Sequence, residues 1–258
     1  MDSTTTLYIS VVVVLAGAAI GSFLNVCISR IPEGASIIRP SSRCPYCGHP
    51  IRFYDNIPVI SFFLLRGKCR DCGRPISRRY PVVEILTACL AFIISLHLGV
   101  TLPGLVVFLF VCVLIVVSFI DLEKKLIPHV LTLTGIPLFS VLSVLFNGLA
   151  IRDVFFGIMV GAGSLYFAAV YYEAITNREG MGGGDVNLLA MLGAFLGVKS
   201  ILFILLFGSL LGAVVGIAFI LFQGKDMKYE LPFGPFLCVA ALVYLFWDDY
   251  FISLFYNF

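Results

Sequence analysis

The sequence predicts an all-α polytopic membrane protein with about eight transmembrane helices and one small polar loop. Three observations predict this fold class: the composition, a series of long apolar runs, and a single long polar stretch. Of the 258 residues, 60% are hydrophobic and 12% are charged, whereas a soluble domain normally carries about twice that charged fraction. A mean hydropathy of +1.05 also argues against a single globular core in water.

Apolar runs that could cross a bilayer follow one another along the chain. A spanning helix needs roughly 20 mostly apolar residues, and these runs qualify: about 7–29, 81–99, 102–120, 126–147, 154–176, 200–222 and 233–256. A shorter run at about 187–198 can form a helix where the bilayer thins or neighbouring helices cover it. Counting it gives eight helices. The first run is predicted to be a transmembrane helix, because the N-terminus lacks the basic region of a cleavable signal peptide.

Basic residues predict the orientation of these helices. The polar stretch 30–80 holds ten of the seventeen Lys and Arg residues, and such clusters mark cytosolic loops. The loop is therefore predicted to lie in the cytosol, with the N-terminus outside. Alternation then places Lys124 and Lys125 inside, and it places Lys225 and Lys228 inside only if the short run is a helix.

Glycines are spaced for close helix packing. They lie four residues apart in three pairs and one run of three: Gly17/Gly21, Gly157/Gly161, Gly193/Gly197 and Gly208/Gly212/Gly216. This spacing puts small residues on one face of a helix and lets two backbones approach each other.

Two C-x-x-C pairs lie in the polar loop. They are separated by 21 residues, and each is followed by glycine: Cys44 with Cys47, and Cys69 with Cys72. The spacing is close to that of a zinc ribbon, and four thiolates around one ion leave no open position, so a structural zinc site is predicted. Two disulfides, which a reducing cytosol opposes, and free or redox-active thiols are the alternatives. The other cysteines are predicted to be plain buried residues: Cys27, Cys89, Cys112 and Cys238.

Two aspartates lie at helix ends that the predicted topology places at the same membrane face. Asp121 ends the third apolar run, and Asp185 follows three glycines at the start of the short run. Taken alone, Asp121 could be an ordinary solvated helix end. The glycines before Asp185 are less ordinary, because they permit positive φ and let the backbone pass close to a ligand or another segment.

Two carboxyls brought together share one proton. The ionised carboxyl then takes a proton from water, and the protonated one polarises a scissile carbonyl. Asp121 and Asp185 are therefore the predicted catalytic pair of an intramembrane aspartic protease.

Other protease chemistries and nucleotide binding find little support. His49, His97 and His129 are isolated, so the H-E-x-x-H motif of a zinc protease is absent. No serine lies within G-x-S-x-G. No βαβ pattern surrounds the glycines before Asp185, which argues against a nucleotide loop.

Short motifs are distributed along the whole chain. They are Gly-Ser-Phe-Leu-Asn-Val at 21–26, the paired cysteines, Arg-Tyr-Pro-Val-Val-Glu at 79–84, Asp121 followed by Ile127-Pro128 and Leu131-Thr132, and Gly182-Gly183-Gly184-Asp185. Together they resemble the bacterial type IV prepilin peptidases, whose GxGD motif carries the second catalytic aspartate. The spacing of 64 residues between the aspartates is also that of the family. One departure is Asn187, where many relatives carry Lys, and this puts a charge role at that position in doubt.

The resemblance implies a bifunctional enzyme of the bacterial inner membrane. It would cleave the leader peptides of type IV prepilins and type II secretion pseudopilins at the cytosolic face, and would then N-methylate the new N-terminal residue with S-adenosylmethionine. The expected organisation is 1–29 as the first transmembrane helix, 30–80 as the zinc-ribbon-like cytosolic loop and 81–258 as the peptidase core. The expected partners are these substrates and the lipid bilayer, without nucleic acid.

The methyl-donor site is not readable from the sequence. Glu84 and Asn25 are candidates by proximity alone. The structural alternatives are a salt bridge between Glu84 and an arginine of the loop, and a hydrogen bond from Asn25 between helices.

Rival functions remain open at this point. Intramembrane acids also mark ion relays in transporters, although both aspartates lie at one face and no repeated half is visible. A peptidase without methylation is a second rival. A purely structural scaffold is the third, and it leaves the glycine turn before Asp185 unexplained.

Overall fold

The structure is a computed structural model that describes residues 3–177, 182–223 and 232–256, with side chains described for 4–177, 182–221 and 232–247. Within these ranges it contains α-helices and two 3₁₀ helices, Ile31–Glu33 and Phe53–Asn56, and no strand. The α-helices are α1 Ser3–Arg30, α2 Ile60–Leu64, α3 Arg79–Leu98, α4 Leu102–Lys124, α5 His129–Phe146, α6 Ile151–Thr176, α7 Gly183–Leu196, α8 Val198–Gln223 and α9 Gly234–Tyr256. The predicted all-α class is confirmed.

In the part of the chain that the structure describes, six helices are long and apolar enough to cross a membrane: α1, α3, α4, α5, α6 and α8. Helix α7 and the segment Gly234–Trp247 of α9 are shorter apolar helices. These eight correspond to the eight predicted runs, whereas α2 is a five-residue helix inside the polar loop. Lys225 and Lys228, on which part of the orientation argument rests, lie outside the described residues.

The chain divides into two compact units, Met1–Val116 and Val117–Phe258. In the first unit, α1 packs along α3. A Cβ on Gly17 would lie 2.9 Å from Ala88 Cα, and a Cβ on Gly21 would lie 2.7 Å from Glu84 Cα. Because real Cβ atoms do not approach this closely, only glycine fits at these two positions of α1. The glycine spacing of the first helix is therefore a packing feature.

The polar loop of the first unit contains an ion pair between Asp55 and Arg70. The Arg70 guanidinium donates to both carboxylate oxygens of Asp55 over 2.7–3.1 Å. This hydrogen bonding holds the pKa of Asp55 below its usual range. Arg70 also lies 5.6 Å from the centre of the Tyr54 ring, so the arginine connects two neighbouring residues of the loop.

Helix α7 occupies the centre of the second unit. It packs against α5, α6, α8 and α9, and its residues from Leu188 to Phe195 are all buried. The Ser143 hydroxyl of α5 donates to the Ala194 carbonyl over 3.0 Å, and the rings of Phe139 and Phe195 meet edge to face at 5.5 Å. A helix of 14 residues is therefore tolerated here because neighbouring helices cover it.

Helices α6 and α7 approach each other backbone to backbone. A Cβ on Gly157 would overlap the main-chain carbonyl of Gly193, and a Cβ on Gly193 would overlap that of Gly157. One turn further along α6, a Cβ on Gly161 would lie 2.7 Å from the Leu189 carbonyl oxygen. Gly157, Gly161 and Gly193 thus allow two helix backbones to approach each other, as predicted. Gly197 lies just beyond the end of α7 with φ 80°, so it is not part of the same helix face.

Three of the four scattered cysteines are buried as predicted: Cys27, Cys112 and Cys238. The prediction is wrong for Cys89, which is exposed. Cys89 shares the exposed side of α3 with Ile85, Leu86 and Ile93, opposite the side that packs on α1. In a uniformly apolar helix, hydropathy does not indicate which side another helix covers.

Candidate active site and metal centre

Asp121 lies in the last turn of α4 and is 5% exposed. Its Oδ2 atom accepts a hydrogen bond of 3.0 Å from the backbone N–H of Gly234, the first residue of α9. The first N–H groups of a helix have no partner within the helix and carry partial positive charge. The start of α9 therefore orients the Asp121 carboxyl.

Gly234 is a site residue that the sequence analysis did not identify. A Cβ at this position would lie 2.7 Å from Asp121 Oδ2, so a side chain here would displace the carboxyl. The available signal was the Gly234-Pro235 step at the start of an apolar run, since proline favours the first helical position and glycine there permits close approach.

Asp185 lies in the first turn of α7 and is partly exposed. Its Oδ1 atom is buried and has no hydrogen-bond partner among the described residues. The positive φ that glycine permits is not used before it: Gly182 has φ −72°, and neither Gly183 nor Gly184 has a positive φ. The structure instead uses the missing side chain of Gly184, because a Cβ there would lie 2.8 Å from Ile127 Cβ.

Three helix ends meet around Ile127. Besides its approach to Gly184, Ile127 Cδ1 lies 3.0 Å from the position of a Cβ on Gly234. The Asp121 and Asp185 carboxyls interact electrostatically with each other, and both interact with the thiol of Cys238, one turn along α9. The end of α4, the start of α7 and the start of α9 thus bring together two carboxyls that are distant in sequence. Such a pair can carry general acid–base chemistry.

Asn187, the position that departs from the family pattern, lies two residues after Asp185. Its Nδ2 atom lies 3.0 Å from Nδ1 of His129 at the start of α5. The side chain therefore connects α7 to α5 by a hydrogen bond. The structure gives this position a neutral contact, not a charge.

The four loop cysteines form one compact cluster. Their Sγ atoms all lie within 4.8 Å of one another, and the Sγ atoms of Cys44 and Cys72 are 3.8 Å apart. Four sulfur ligands placed tetrahedrally at 2.3 Å from an ion are about 3.8 Å apart. The donor set and its size therefore fit a tetrahedral metal site, and the cluster can hold a metal ion.

The two C-x-x-C pairs have the same backbone geometry. The Gly48 N–H donates to Cys44 O over 2.9 Å, and the Gly73 N–H donates to Cys69 O over 2.9 Å. Both glycines have positive φ, 71° and 67°. Glycine thus closes each turn in a conformation that other residues rarely adopt.

The thiols of Cys44 and Cys72 differ in pKa. The Cys47 N–H is the main cause that lowers the pKa of Cys44 to about 7. Against the lowering effect of the Arg74 N–H, burial and the neighbouring thiols raise the pKa of Cys72 to about 11. A metal ion must displace these protons, so metal uptake is expected to weaken as the pH falls.

Comparison with known proteins gives matches over most of the chain. Residues 15–98 match the family model described as the bacterial peptidase A24 N-terminal domain, and residues 108–217 match that of the type IV leader peptidase family. A prepilin leader peptidase/N-methyltransferase of Aeromonas hydrophila is 40% identical over 273 residues, which cover 94% of this chain and 92% of the relative. The protein of the same description from Pseudomonas aeruginosa is 34% identical, covering 92% and 89%. That from Myxococcus xanthus is 43% identical over 209 residues, covering 81% and 62%. The solved structures contain no significant match.

Proposed function

Because the chain belongs to the type IV leader peptidase family, we propose that it removes the leader peptides of type IV prepilins and type II secretion pseudopilins. The chain is a multi-pass protein of the inner membrane and a peptidase with methyltransferase activity. The prepilin substrate is inferred from the name of its relatives, and the Aeromonas hydrophila match covers more than nine-tenths of the chain. The pseudopilin substrates are inferred from the family resemblance.

Asp121 and Asp185 form the proposed catalytic pair. The observation that carries this proposal is their electrostatic contact at three converging helix ends, with Asp121 held by the Gly234 N–H. One carboxyl, ionised, takes a proton from water while the water oxygen attacks the scissile carbonyl carbon. The other, protonated, donates to the carbonyl oxygen. The peptide bond then breaks as its nitrogen takes up a proton, without a covalent enzyme intermediate.

The cut is proposed to occur at the cytosolic face of the membrane. The ten basic residues of the loop 30–80 support a cytosolic loop and an N-terminus outside. On this orientation both aspartates lie at cytosolic helix ends. The short leader would then be reached from the cytosol without entering the bilayer centre.

Methyl transfer to the new N-terminus is proposed to use S-adenosylmethionine. This donor supplies an electrophilic methyl group on a sulfonium sulfur. In the transfer, the nitrogen–methyl bond forms, the sulfur–methyl bond breaks and the amine loses a proton. The chain's own part is to bind the amine and donor next to each other.

Zinc is the metal proposed for the cysteine cluster, with Cys44, Cys47, Cys69 and Cys72 as ligands. Four thiolates favour zinc, and a closed ligand set leaves no position for a reacting group. The ion would cross-link the ends of a loop that has little hydrophobic core.

Cys44→Ser is expected to reduce the zinc content of the purified protein from about one ion per chain to a small fraction of that. The reason is that a hydroxyl is a poor replacement for a thiolate at a soft site. Elemental analysis after dialysis measures the content. Cys89→Ser, which lies outside the cluster, is the matched control and should keep its zinc. A wild-type chain that is active and free of metal would contradict the zinc proposal.

The proposed function is tested with the purified full-length protein, a prepilin and isotopically labelled methyl donor. Mass analysis of the product is expected to give a chain shortened by its leader and heavier by one labelled methyl group. Cleavage without the added mass would select a peptidase that does not methylate this substrate. An uncut substrate, with an ion flux in vesicles, would select the ion relay.

A further inference from the structure

Two buried polar side chains lie between α1 and α3 in the first unit. Asn25 is 1% exposed and Glu84 is 6% exposed, although both helices are otherwise strongly apolar. The catalytic proposal above makes no use of either residue. The hydrogen-bond partners of Asn25 and Glu84 indicate what kind of ligand these two side chains can bind.

Glu84 has a backbone donor but no basic partner. Its Oε2 atom accepts a hydrogen bond of 2.7 Å from the Val59 N–H. The salt bridge to a loop arginine that the sequence left open is absent among the described residues. The Ser22 side chain also hydrogen-bonds to this carboxyl. A buried carboxylate without a counter-ion still costs several kcal/mol, and a bound cation would remove that cost.

Asn25 presents an unused acceptor beside it. Its Nδ2 atom donates to Tyr80 O over 3.1 Å and to Gly21 O over 3.3 Å, so the expected hydrogen bond between helices is present. Because both of these partners are carbonyls, they fix which way the amide faces. The Asn25 Oδ1 atom is then buried without any partner among the described residues, and a lone buried acceptor costs about 1–3 kcal/mol.

Asn25 and Glu84, which carry the two acceptors, lie near each other on the facing sides of α1 and α3. Tyr80 and Glu84 are one turn apart on α3, and Gly21 and Asn25 are one turn apart on α1. Asn25 contacts Tyr80, and Gly21 lies against Glu84. Asn25 and Glu84 are therefore about one helical turn apart along the same seam.

A strained segment of the polar loop lies next to Glu84. Val59, whose N–H binds Glu84, has φ 63° and ψ −51°, which is highly unusual for a β-branched residue. Such backbone costs of order 1–3 kcal/mol and is concentrated at ligand clamps and switch regions. Glu84 thus holds the loop in a conformation that the loop would not adopt alone.

We propose that Glu84 and Asn25 bind a cationic primary amine. An ammonium group supplies what both lack, a positive charge for the carboxylate and an N–H donor for the amide oxygen. The inference rests on the proposed methyl transfer, which offers two such amines: the new α-amino group of the processed substrate and the α-ammonium of the methyl donor. The unpartnered Oδ1 atom of Asn25 is the structural fit to either group.

Binding measurements on the full-length protein in nanodiscs distinguish the two amines. One pair of probes is a peptide with the mature N-terminus, free or acetylated. The other pair is S-adenosylhomocysteine, which carries the α-ammonium, and its deaminated analogue, in which hydrogen replaces the amino group and the carboxylate is kept. We expect the wild type to prefer the amine form in at least one pair by about tenfold or more, and the preferred pair identifies the amine bound.

Glu84→Gln is the decisive variant, because it keeps an oxygen for the Val59 N–H and removes the charge. It should abolish the preference for the amine form. Thr87→Val is the matched control, because the Thr87 hydroxyl is buried on α3 and donates within its own helix to Val83 O. It should retain the preference.

The proposal is overturned if wild-type protein shows no preference in either pair, whatever the variants do. It is also overturned if Glu84→Gln keeps the full preference, which would make Glu84 a neutral structural group. Failure of the methylation proposal looks different: the wild type would then cleave its substrate without methylating it, while its preference for an amine remains measurable.

Discussion

Asp121→Asn and Asp185→Asn are each expected to abolish leader cleavage, with a loss of at least about 100-fold, the lower range for a general acid–base group. Asparagine has the shape of aspartate but can neither accept a proton from water nor share one with its neighbour. Its side-chain oxygen at 121 can still accept the Gly234 N–H, so the start of α9 keeps its anchor. The loss would therefore report chemistry and not misfolding. Initial rates of leader removal, followed by mass analysis, measure the effect.

The control for the aspartates is Asp153→Asn. Asp153 is also an acid in the first turn of a helix of the second unit, but it is half exposed and its ion-pair partner is the neighbouring Arg152. This variant should cleave at the wild-type rate. The catalytic pair would be refuted by robust cleavage with either single variant at Asp121 or Asp185.

Gly157→Ala is expected to destabilise the protein, by about 1–3 kcal/mol or more, which is the cost of overpacking a core. The added methyl group would overlap the main-chain carbonyl of Gly193, and backbone on both sides leaves no flexible side chain to move. The two helices must separate, which also disturbs α7 and, through it, Asp185. The midpoint of thermal unfolding in detergent should fall by several degrees.

Gly163→Ala is the matched control, since Gly163 lies on the same helix and no atom lies within 4 Å of a Cβ at that position. It should unfold at or slightly above the wild-type midpoint, because alanine favours a helix over glycine. Equal midpoints for the Gly157 and Gly163 variants would mean that the close approach of α6 and α7 does not contribute to stability.

The features that could be predicted are those with a local signature. The lengths of the apolar runs predicted the eight helices, because each run must by itself be long enough to span the bilayer or to be buried by its neighbours. Thiol spacing predicted the cysteine cluster, since a C-x-x-C turn is a local structure. Glycines four residues apart predicted close packing, although their partners could not be named.

Contacts between segments that are far apart along the chain were harder to predict from the sequence. Cys89 was misplaced because a uniformly apolar helix does not reveal its covered side. The glycines before Asp185 were expected to permit both positive φ and a close backbone approach. Positive φ is not used, whereas the missing side chain of Gly184 leaves room for Ile127. The sequence left two roles open for Glu84, binding of the methyl donor or a salt bridge to a loop arginine. In the structure, Glu84 accepts a hydrogen bond from a backbone N–H of the loop.

By itself, the sequence predicted the helices and the cluster of four thiols, which the structure confirms, and it identified the two aspartates as candidates. Hydropathy, ligand spacing and a glycine turn are properties of short segments. Only the tertiary structure decided what surrounds them. The donor to Asp121 comes from Gly234, 113 residues along the chain, and the Asn25 amide of α1 donates to the Tyr80 carbonyl of α3. The physical reason is that helix packing brings these groups within hydrogen-bonding distance, and no periodicity along one segment encodes which residue of another helix it will face.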